Sequence, residues 1–361
     1  MALRFLLLAC CSLMCLAETH RVAATKYYNS FYHRHPVLAK IKPGDVVITR
    51  TADASGRDEQ GKVVGDTPNA LTGPFFIEGA EPGDAIAVTF RRMRLNRNWG
   101  FTNYRLGLFS LTPASIEKLY PATYKEGALY AGRSNAVKWD LDLAKGMARL
   151  HEPVSKVHKM EFAVRPMLGC VGVAAAADFG PSSSISGPYG GNMDYNEVGE
   201  ASTVVLPVYH AGALLFMGDG HALQGDGEPT GTGIETSMDV EFTVEVRKKA
   251  GLSNPRLETA DAIISIGSQP EFASPLDRAL QIATSDMVDW LTKDYGMEPW
   301  AAHLLIGYQG KYDVITVAGS MALRLPKERL PKPAVTSTST TADPKPRPQA
   351  KNQPRSSAAS R

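Results

Sequence analysis

The chain has 361 residues, of which 43% are hydrophobic and 21% are charged. This composition excludes an intrinsically disordered chain, a collagen-like repeat and a polytopic membrane protein. The formal net charge of +2 depends on positive charges near the two termini. The part between them is mildly acidic, so we expect no nucleic-acid partner.

The N-terminus has the pattern of a secretory signal peptide over residues 1–17. Arg4 precedes the apolar run Phe5–Leu16, and Ala17 supplies a small residue where the run ends. The run is shorter than the roughly 20 residues of a membrane-spanning helix, which disfavours an uncleaved anchor. We therefore expect a mature protein that begins near Glu18, has no membrane span and is exported, by secretion or to the periplasm.

Cysteine usage agrees with this prediction. Three of the four cysteines lie in the predicted leader, so the mature chain retains Cys170 alone and an internal disulfide framework is impossible. The neighbours of Cys170 are apolar residues and glycines, a setting that raises the pKa of a thiol. We interpret Cys170 as a buried side chain and not as a catalytic nucleophile.

The first half of the body, predicted over residues 18–330, begins with turns that are followed by strands. The runs Val46–Thr49 and Ala85–Phe90 each follow a Pro-Gly-Asp turn, which is typical of a turn-then-strand unit. A short helix is predicted at Pro113–Leu119. Phe162–Ala177 is predicted to contain a buried strand that leads into a glycine-rich loop.

The second half of the body supplies two further strand signals. Thr203–Phe216 is predicted as a hairpin with its turn at Ala211-Gly212. Met238–Arg247 alternates apolar and polar residues, which indicates a half-buried strand.

Helices are predicted near the C-terminal part of the body. One begins at Ser274-Pro275, has apolar residues at helical spacing and ends at Gly296. A second begins at Pro299 and carries His303. The predicted fold class is therefore α+β, dominated by strands in sandwich-like β lobes.

Residues 331–361 form a basic tail rich in proline, serine and threonine. This composition cannot bury enough apolar surface to offset the entropy of ordering, so the tail is predicted to be disordered. A solvated appendage is favoured over a tether to an anionic surface.

The densest polar cluster follows an apolar run at Gly218–Glu228. It contains an imidazole, His221, and the carboxylates of Asp219, Asp226 and Glu228, a donor set that suits a divalent metal. In an extended chain, Asp219 and His221 would project to the same face and could approach one ion. The alternative is a loop whose aspartates cap turns.

Two other segments offer polar side chains beside turns. Asn192 and Asp194 follow paired glycines, and Asp53 follows the predicted strand Val46–Thr49. Each could bind a ligand or cap its own turn.

The order of these segments resembles that of the acetamidase/formamidase family. The resemblance spans roughly residues 36–325, and its longest motif is the cluster that contains His221. The matching motifs are Asn69-x-x-Thr72-Gly73-Pro74-Phe75-x-Ile77-Glu78-Gly79-Ala80-Glu81-Pro82-Gly83-Asp84, Pro166-Met167-x-Gly169-x-x-Gly172-Val173-Ala174, Gly190-Gly191-Asn192-x-Asp194, Leu206-Pro207-Val208, Gly212-Ala213-Leu214, and Gly218-Asp219-x-His221-Ala222-x-Gln224-Gly225-Asp226-Gly227-Glu228.

The resemblance implies a metal-assisted hydrolase that converts a small linear amide, such as formamide or acetamide, and water into a carboxylate and ammonia. It also implies a β-rich fold and a homo-oligomer. Residues 95–150 match the family poorly and can shape the substrate pocket, so the identity of the amide is open.

The amide bond itself suggests a role for each candidate residue. A divalent cation polarises the carbonyl and lowers the pKa of water; zinc is the expected metal and calcium an alternative. Glu228 is the predicted proton shuttle, with Asp226 as second candidate, and Asn192 is a candidate donor to the developing oxyanion. Glu235 competes for either role. The candidate metal ligands are Asp53, Asp194, Asp219 and His221.

Two other functions are less consistent with the sequence. A secreted binding module with structural calcium would prefer six to eight oxygen ligands, which His221 fits poorly. The serine-rich segment Gly180–Gly187 is similar to a loop of amidase-signature enzymes, but no obvious lysine partner accompanies it, so we interpret it as a flexible loop.

Overall fold

The computed structural model describes residues 17–105, 110–119, 136–268 and 275–333. All of the predicted leader except Ala17, and the predicted tail from residue 334 onwards, lie outside these ranges. In the part of the chain that is described, no helix is both long and apolar enough to cross a membrane.

Strands account for most of the regular structure in the described ranges, and three α-helices accompany them. The helices are α1 (Pro113–Leu119), α2 (Leu276–Tyr295) and α3 (Pro299–Gln309). The strands are β1 (Thr19–Arg21), β2 (Ala39–Ile41), β3 (Val46–Thr51), β4 (Thr72–Ile77), β5 (Ala85–Leu95), β6 (Trp99–Asn103), β7 (Ala136–Asp142), β8 (Met147–Leu150), β9 (Glu161–Ala163), β10 (Met167–Val173), β11 (Ser186–Gly187), β12 (Gly190–Asn192), β13 (Thr203–Pro207), β14 (Leu215–His221), β15 (Glu235–Thr236), β16 (Met238–Arg247), β17 (Arg256–Glu258), β18 (Ala262–Gly267), β19 (Lys311–Thr316) and β20 (Ser320–Pro326).

These strands form two sheets. The first has nine strands in the order β1-β3-β16-β5-β13-β17-β18-β20-β19, and the second has eleven. The second sheet follows the order β11-β12-β10-β14-β15-β6-β7-β8-β9, with β4 paired to β14 and β2 paired to β4. In β16 the residues alternate between buried and half-buried from Met238 to Val244, which confirms the predicted half-buried strand.

The main hydrophobic core contains side chains from both sheets. Phe242 of the first sheet packs edge-on against Phe75 of the second, with ring centroids 5.4 Å apart. Val88 and Phe216, one from each sheet, belong to the same buried cluster. Complete burial of one such side chain is worth about 1.5–3 kcal/mol, so the core accounts for much of the stability. The predicted strand-dominated α+β class is confirmed.

The predicted helices are also present. Gly296 ends α2 in the left-handed conformation at φ 68°, which glycine adopts without steric cost. Met287 and Leu291 of α2 pack against Leu323 of β20 in a second core. This core covers the outer face of the nine-stranded sheet, where helix α2 contacts β18 and β20.

The predicted hairpin over Thr203–Phe216 is wrong. Strand β13 pairs with β5 and β17 in the nine-stranded sheet, whereas β14 pairs with β10, β15 and β4 in the other. The chain passes from one sheet to the other at Gly212, Ala213 and Leu214, which have φ values of 77°, 56° and 61°. Both runs are buried on both faces, so their patterns contain no alternation that would identify a partner strand.

Candidate active site

A cavity of about 570 Å³ opens beside the second sheet, and polar residues form much of its wall. The wall includes Asn192 next to β10, the loop after β14 and the turn between β19 and β20. The titratable side chains among the described lining residues are Arg105, Asp194, Asp219, His221, Glu228 and Glu235.

Strand pairing brings the buried part of this set together. Asp219 and His221 lie two residues apart on β14, and His221 is in register with Glu235 on β15. The Nε2 atom of His221 lies 3.1 Å from Glu235 Oε1 and 3.5 Å from Asp219 Oδ1. The prediction that Asp219 and His221 can approach one ion together agrees with this geometry.

Gly169 on β10 leaves the space that two of the carboxylates occupy. A Cβ atom at this position would lie 2.4 Å from Asp194 Oδ1 and 2.5 Å from Asp219 Oδ2. Real Cβ contacts are never this short, so any side chain at Gly169 would displace both carboxylates.

Three groups of side chains in the described ranges have the spacing of metal ligands, and two of them lie at this site. His221 belongs to both groups at this site: one adds Asp194 and Glu228, and the other adds Asp219 and Glu235. In each group the ligand atoms lie within 4.8 Å of one another. Both groups combine carboxylates with one imidazole, a donor set that divalent transition metals accept.

Four buried polar atoms at this point lack a hydrogen-bond partner within the protein. Buried polar atoms without a partner are rare because each loses its hydration. Their convergence therefore indicates that the side chains are arranged for a group the protein itself does not supply. The atoms are Asp194 Oδ1, Asp219 Oδ1, His221 Nε2 and Glu235 Oε2.

Gln224 fixes the orientation of the His221 ring. Its Oε1 lies 2.7 Å from His221 Nδ1, and its Nε2 donates to the carbonyl oxygen of Asp194 at 2.5 Å. Because the amide nitrogen is already directed at a carbonyl, the amide oxygen accepts from Nδ1–H. In the neutral imidazole this leaves the Nε2 lone pair directed at the carboxylates, as in histidines that bind metals.

Asn69 and Asn192 bind Asp219 and Asp194 through the Oδ2 atom of each carboxylate, which leaves the two Oδ1 atoms without a partner. Asn69 Nδ2 lies 2.7 Å from Asn192 Oδ1 and 3.1 Å from Asp219 Oδ2. Asn192 in turn donates to Asp194 Oδ2. The sulfhydryl of Cys170 also donates to Asn192 Oδ1, at 2.9 Å.

Burial, together with neighbouring carboxylates, raises the pKa values of Asp194, Glu228 and Glu235. Burial raises the pKa of Glu235 to about 8 and that of Glu228 to about 7, although the nearby His221 opposes both shifts. Burial and the charges of Glu228 and Asp219 raise the pKa of Asp194 well above its usual value. Burial acts to lower the pKa of His221, but Glu235 and Asp219 outweigh it and raise that pKa well above its usual value. A bound cation would relieve this repulsion.

Four of the residues predicted from the sequence as ligands or proton shuttle meet at this cluster: Asp194, Asp219, His221 and Glu228. Asn192 lines the same cavity. The structure does not bring the other two there. Asp226 is exposed and accepts from Asn196 Nδ2 at 2.7 Å.

Asp53 also lies apart from the cluster, although it is fully buried. Its Oδ1 accepts from the backbone N–H groups of Ser55 and Arg57, both at 2.9 Å. Its Oδ2 lies 2.6 Å from Arg97 Nη2. Of the two alternatives that the sequence left open, the geometry shows the turn cap.

The predicted burial of Cys170 is confirmed. The side chain is fully buried, and burial together with Asp219 and Asp194 raises the pKa of its thiol well above the usual value. A thiol held protonated in this way is a poor nucleophile.

Sequence reasoning missed the supporting roles of Asn69 and Gln224 and gave no role to Arg105. Gln224 follows His221 by three residues in the longest motif, so its position beside the imidazole was the available signal. Asn69 opens another quoted motif, but nothing local connects it to β14. The serine-rich segment also contributes, because Ser184 and Ser186 line the cavity.

The fold and this site define a class of protein: a β-sandwich with a solvent-accessible cavity whose floor combines an imidazole with carboxylates of raised pKa, as hydrolytic enzymes do. The chain belongs to the acetamidase/formamidase family, whose model matches residues 16–185 and 184–277. The predicted family is confirmed, and with it the general class of amidohydrolases that act on linear amides.

Individual relatives agree with this assignment. The chain is 26% identical to the formamidase of Methylophilus methylotrophus over 63% of its own length and 67% of the relative's. It is 24% identical to the acetamidase of Mycolicibacterium smegmatis over 59% of its length and 63% of the relative's. Each match thus covers about two thirds of the curated relative. The crystal structure of the acetamidase from Yersinia enterocolitica superposes with a TM-score of 0.69 and 28% identity, covering 87% of this chain and 93% of that one.

Proposed function

We propose that this protein hydrolyses a small linear amide to a carboxylate and ammonia at a divalent-metal centre, with zinc as the metal. The observation that supports this most strongly is the convergence of unpartnered atoms from Asp194, Asp219, His221 and Glu235 on the floor of the cavity. Family membership supports the amide as substrate, and the mixture of oxygen and imidazole donors supports zinc over calcium.

In this proposal Asp219, His221 and Glu235 hold the cation, because carboxylate oxygens of Asp219 and Glu235 lie 3.5 Å and 3.1 Å from His221 Nε2. Asp194 directs its unpartnered Oδ1 at the same place. The cation, when bound, would polarise the amide carbonyl and make water more acidic. Asn69, Asn192 and Gln224 keep the ligands aligned, and such supporting contacts typically contribute a factor of 10–100 in metal affinity.

Glu228 is assigned to proton transfer. It lines the cavity and is only half-buried, so a substrate can reach it. Burial raises its pKa to about 7 in the metal-free protein, and a carboxylate at this position can accept a proton from the attacking water and return it to the departing nitrogen. Asp226 is exposed and does not line the cavity, so it is the weaker candidate.

Ammonia release from formamide and acetamide tests the proposal. The purified protein should release ammonia, lose activity on treatment with a chelator and regain it when zinc is added. A chelated protein that keeps full activity after metal analysis has shown it to be metal-free would contradict the metal-dependent mechanism. A zinc-loaded protein that releases no ammonia from any linear amide would contradict the amide substrate.

The variant His221→Ala separates metal binding from folding. It should lower metal content and ammonia release together, because no other described imidazole belongs to the cluster. The exposed His303 on α3 offers a matched control: His303→Ala should keep both. Equal metal content in the two variants would remove His221 from the ligand set.

Export and assembly stay predictions. Intact-mass measurement of secreted material should show that the residues before Glu18 have been lost, and light scattering should give a mass above that of one chain. Retention of Met1 in a membrane fraction would contradict the signal peptide.

A further inference from the structure

The cavity is much larger than the smallest amides of the family require. Formamide has three heavy atoms, so it fills roughly three water-sized volumes of about 30 Å³ each. The cavity measures about 570 Å³, and cavities of about 300–1,000 Å³ commonly enclose ligands of drug size. A formamide molecule on the floor of this cavity would leave most of its volume to water.

The wall above the floor contains one residue with a permanent positive charge among the described lining residues, Arg105. The backbone N–H of Arg105 donates to the carbonyl oxygen of Thr230 at 2.8 Å. Its side chain packs flat on Gly231, where an added Cβ would lie 2.8 Å from Arg105 Cβ and 3.1 Å from Cδ. The absence of a side chain at Gly231 therefore lets the stem of Arg105 follow the loop that carries Glu228.

The guanidinium group of Arg105 is available to a ligand. Its positive charge acts on Glu228, where it opposes the rise in pKa, but within the described ranges no aspartate or glutamate forms an ion pair with it. Arginine binds carboxylates through two parallel hydrogen bonds, which makes it the usual residue for this recognition. Elsewhere in the wall Ser186 and Ser320 supply hydroxyl groups, with 3.4 Å between their Oγ atoms.

We propose that the physiological substrate is an amide whose acyl chain ends in a carboxylate, and that Arg105 is the residue that determines this specificity. The inference rests on the proposed amide hydrolysis and extends it to the substrate class. The carboxylates around His221 repel an anionic group, whereas Arg105 attracts it, so a substrate whose carboxylate binds Arg105 would direct its amide towards His221. The chemistry is unchanged: the C–N bond is hydrolysed, and a dicarboxylate and ammonia leave.

Succinamate and its uncharged isostere 4-methylpentanamide test this proposal, because they differ mainly in the terminal carboxylate. We expect kcat/KM of the wild-type protein to be about 10- to 100-fold higher for succinamate, the scale of one charge-assisted hydrogen-bonded pair. Arg105→Gln should bring the ratio of the two kcat/KM values close to one, chiefly through a higher KM for succinamate. Arg105→Lys should give an intermediate ratio, because lysine keeps the charge without the paired geometry.

Arg92→Gln is the matched control, since Arg92 is exposed on β5 and does not line the cavity; it should keep the wild-type ratio. Hydrolysis of both amides with a ratio near one in the wild type, or an equal loss for both in Arg105→Gln, would overturn the inference and leave the proposed function intact. If the wild type hydrolyses no amide, the proposed function fails. Calorimetric binding of succinamate by the wild type and by Arg105→Gln then tests the role of Arg105 separately.

Discussion

The Asp53–Arg97 ion pair and the cluster around His221 are both buried, yet their hydrogen bonding differs. Arg97 Nη2 donates to Asp53 at 2.6 Å, and its Nε lies 3.1 Å from Thr236 Oγ1. Its guanidinium also stacks on the Trp99 ring, with 3.6 Å between Arg97 Cζ and the ring centroid. Every charge in this pair meets a partner within the protein. In the cluster around His221, four atoms instead lack a hydrogen bond within the protein, although His221 Nε2 lies 3.1 Å from Glu235 Oε1.

This difference separates a structural cluster of charges from a functional one. A satisfied pair fixes the backbone, as Asp53 does by accepting from two N–H groups of its own turn. An unsatisfied cluster destabilises the fold until a ligand binds, and it persists only because the surrounding structure holds it. The backbone shows the same contrast: Asn69, Asp194, Asp219 and Glu228 have φ values between 42° and 58°, where few residues other than glycine are found.

The largest effect is expected from Glu228→Gln. The amide is nearly isosteric with the carboxylate but cannot accept and return a proton, so ammonia release should fall by about 10²- to 10⁴-fold with the metal content unchanged. Asp226→Asn is the matched control on the same loop and should stay within about threefold of the wild type. Steady-state kinetics with metal analysis check both variants. A larger loss of activity in Asp226→Asn than in Glu228→Gln would show that Asp226 is the proton shuttle.

Replacing one carboxyl in each cluster should change stability in opposite directions. Asp53→Ala leaves Arg97 buried without its carboxylate and should lower the free energy of unfolding by about 3–5 kcal/mol. Asp194→Asn removes a carboxyl whose ionised form is disfavoured by burial and by the charges of Glu228 and Asp219, and should raise the free energy of unfolding of the metal-free protein by about 1 kcal/mol. Urea unfolding of chelator-treated protein measures both. Equal destabilisation would show that the two clusters are alike.

A smaller effect is expected from Gln224→Leu. Loss of the amide frees the His221 ring and leaves its Nδ1–H without an acceptor, so metal affinity should fall by about 10- to 100-fold. Competition with a chelator of known affinity measures this change. Gln60→Leu, at an exposed position, is the control and should bind metal as the wild type does. Wild-type affinity in Gln224→Leu would mean that strand pairing alone orients the imidazole.

The elements that sequence reasoning predicted well are those whose signals are local. Alternation over Met238–Arg247 and the terminal glycine at Gly296 each belong to a few consecutive residues, and both describe the observed elements. The proximity of Asp219 and His221 was predictable for the same reason, because two residues on one strand share a face.

The parts that were not predictable depend on pairing between distant segments. Asp53 is satisfied by Arg97, 44 residues further along the chain, and nothing near Asp53 in the sequence indicates this partner. Glu235 meets His221 only through the register of β14 and β15. The wrong hairpin has the same origin, since fully buried strands show no alternation from which register could be inferred.

The smallest effect is a pH dependence that distinguishes the two clusters without mutation. The folded-state pKa values of Glu235 and Glu228, about 8 and about 7, exceed the ordinary value of 4.5. The folded protein therefore binds more protons than the unfolded chain, and the stability that these protons contribute is lost as pH rises through 7 and 8. Carboxyls with lowered pKa values, such as Asp45 and Asp84, contribute stability that is lost as pH falls, and this loss occurs at more acidic pH.

The Tm of chelator-treated protein should accordingly fall by several degrees between pH 5.5 and 8.5, since about 1 kcal/mol corresponds to roughly 2–4 °C in a domain of this size. Zinc-loaded protein should show little change, because the cation replaces the protons as the partner of the carboxylates. Glu235→Gln should reduce the slope of the metal-free protein, whereas Asp53→Asn should lower Tm without changing the slope. Parallel curves with and without metal would show that the carboxylates around His221 do not share a cation.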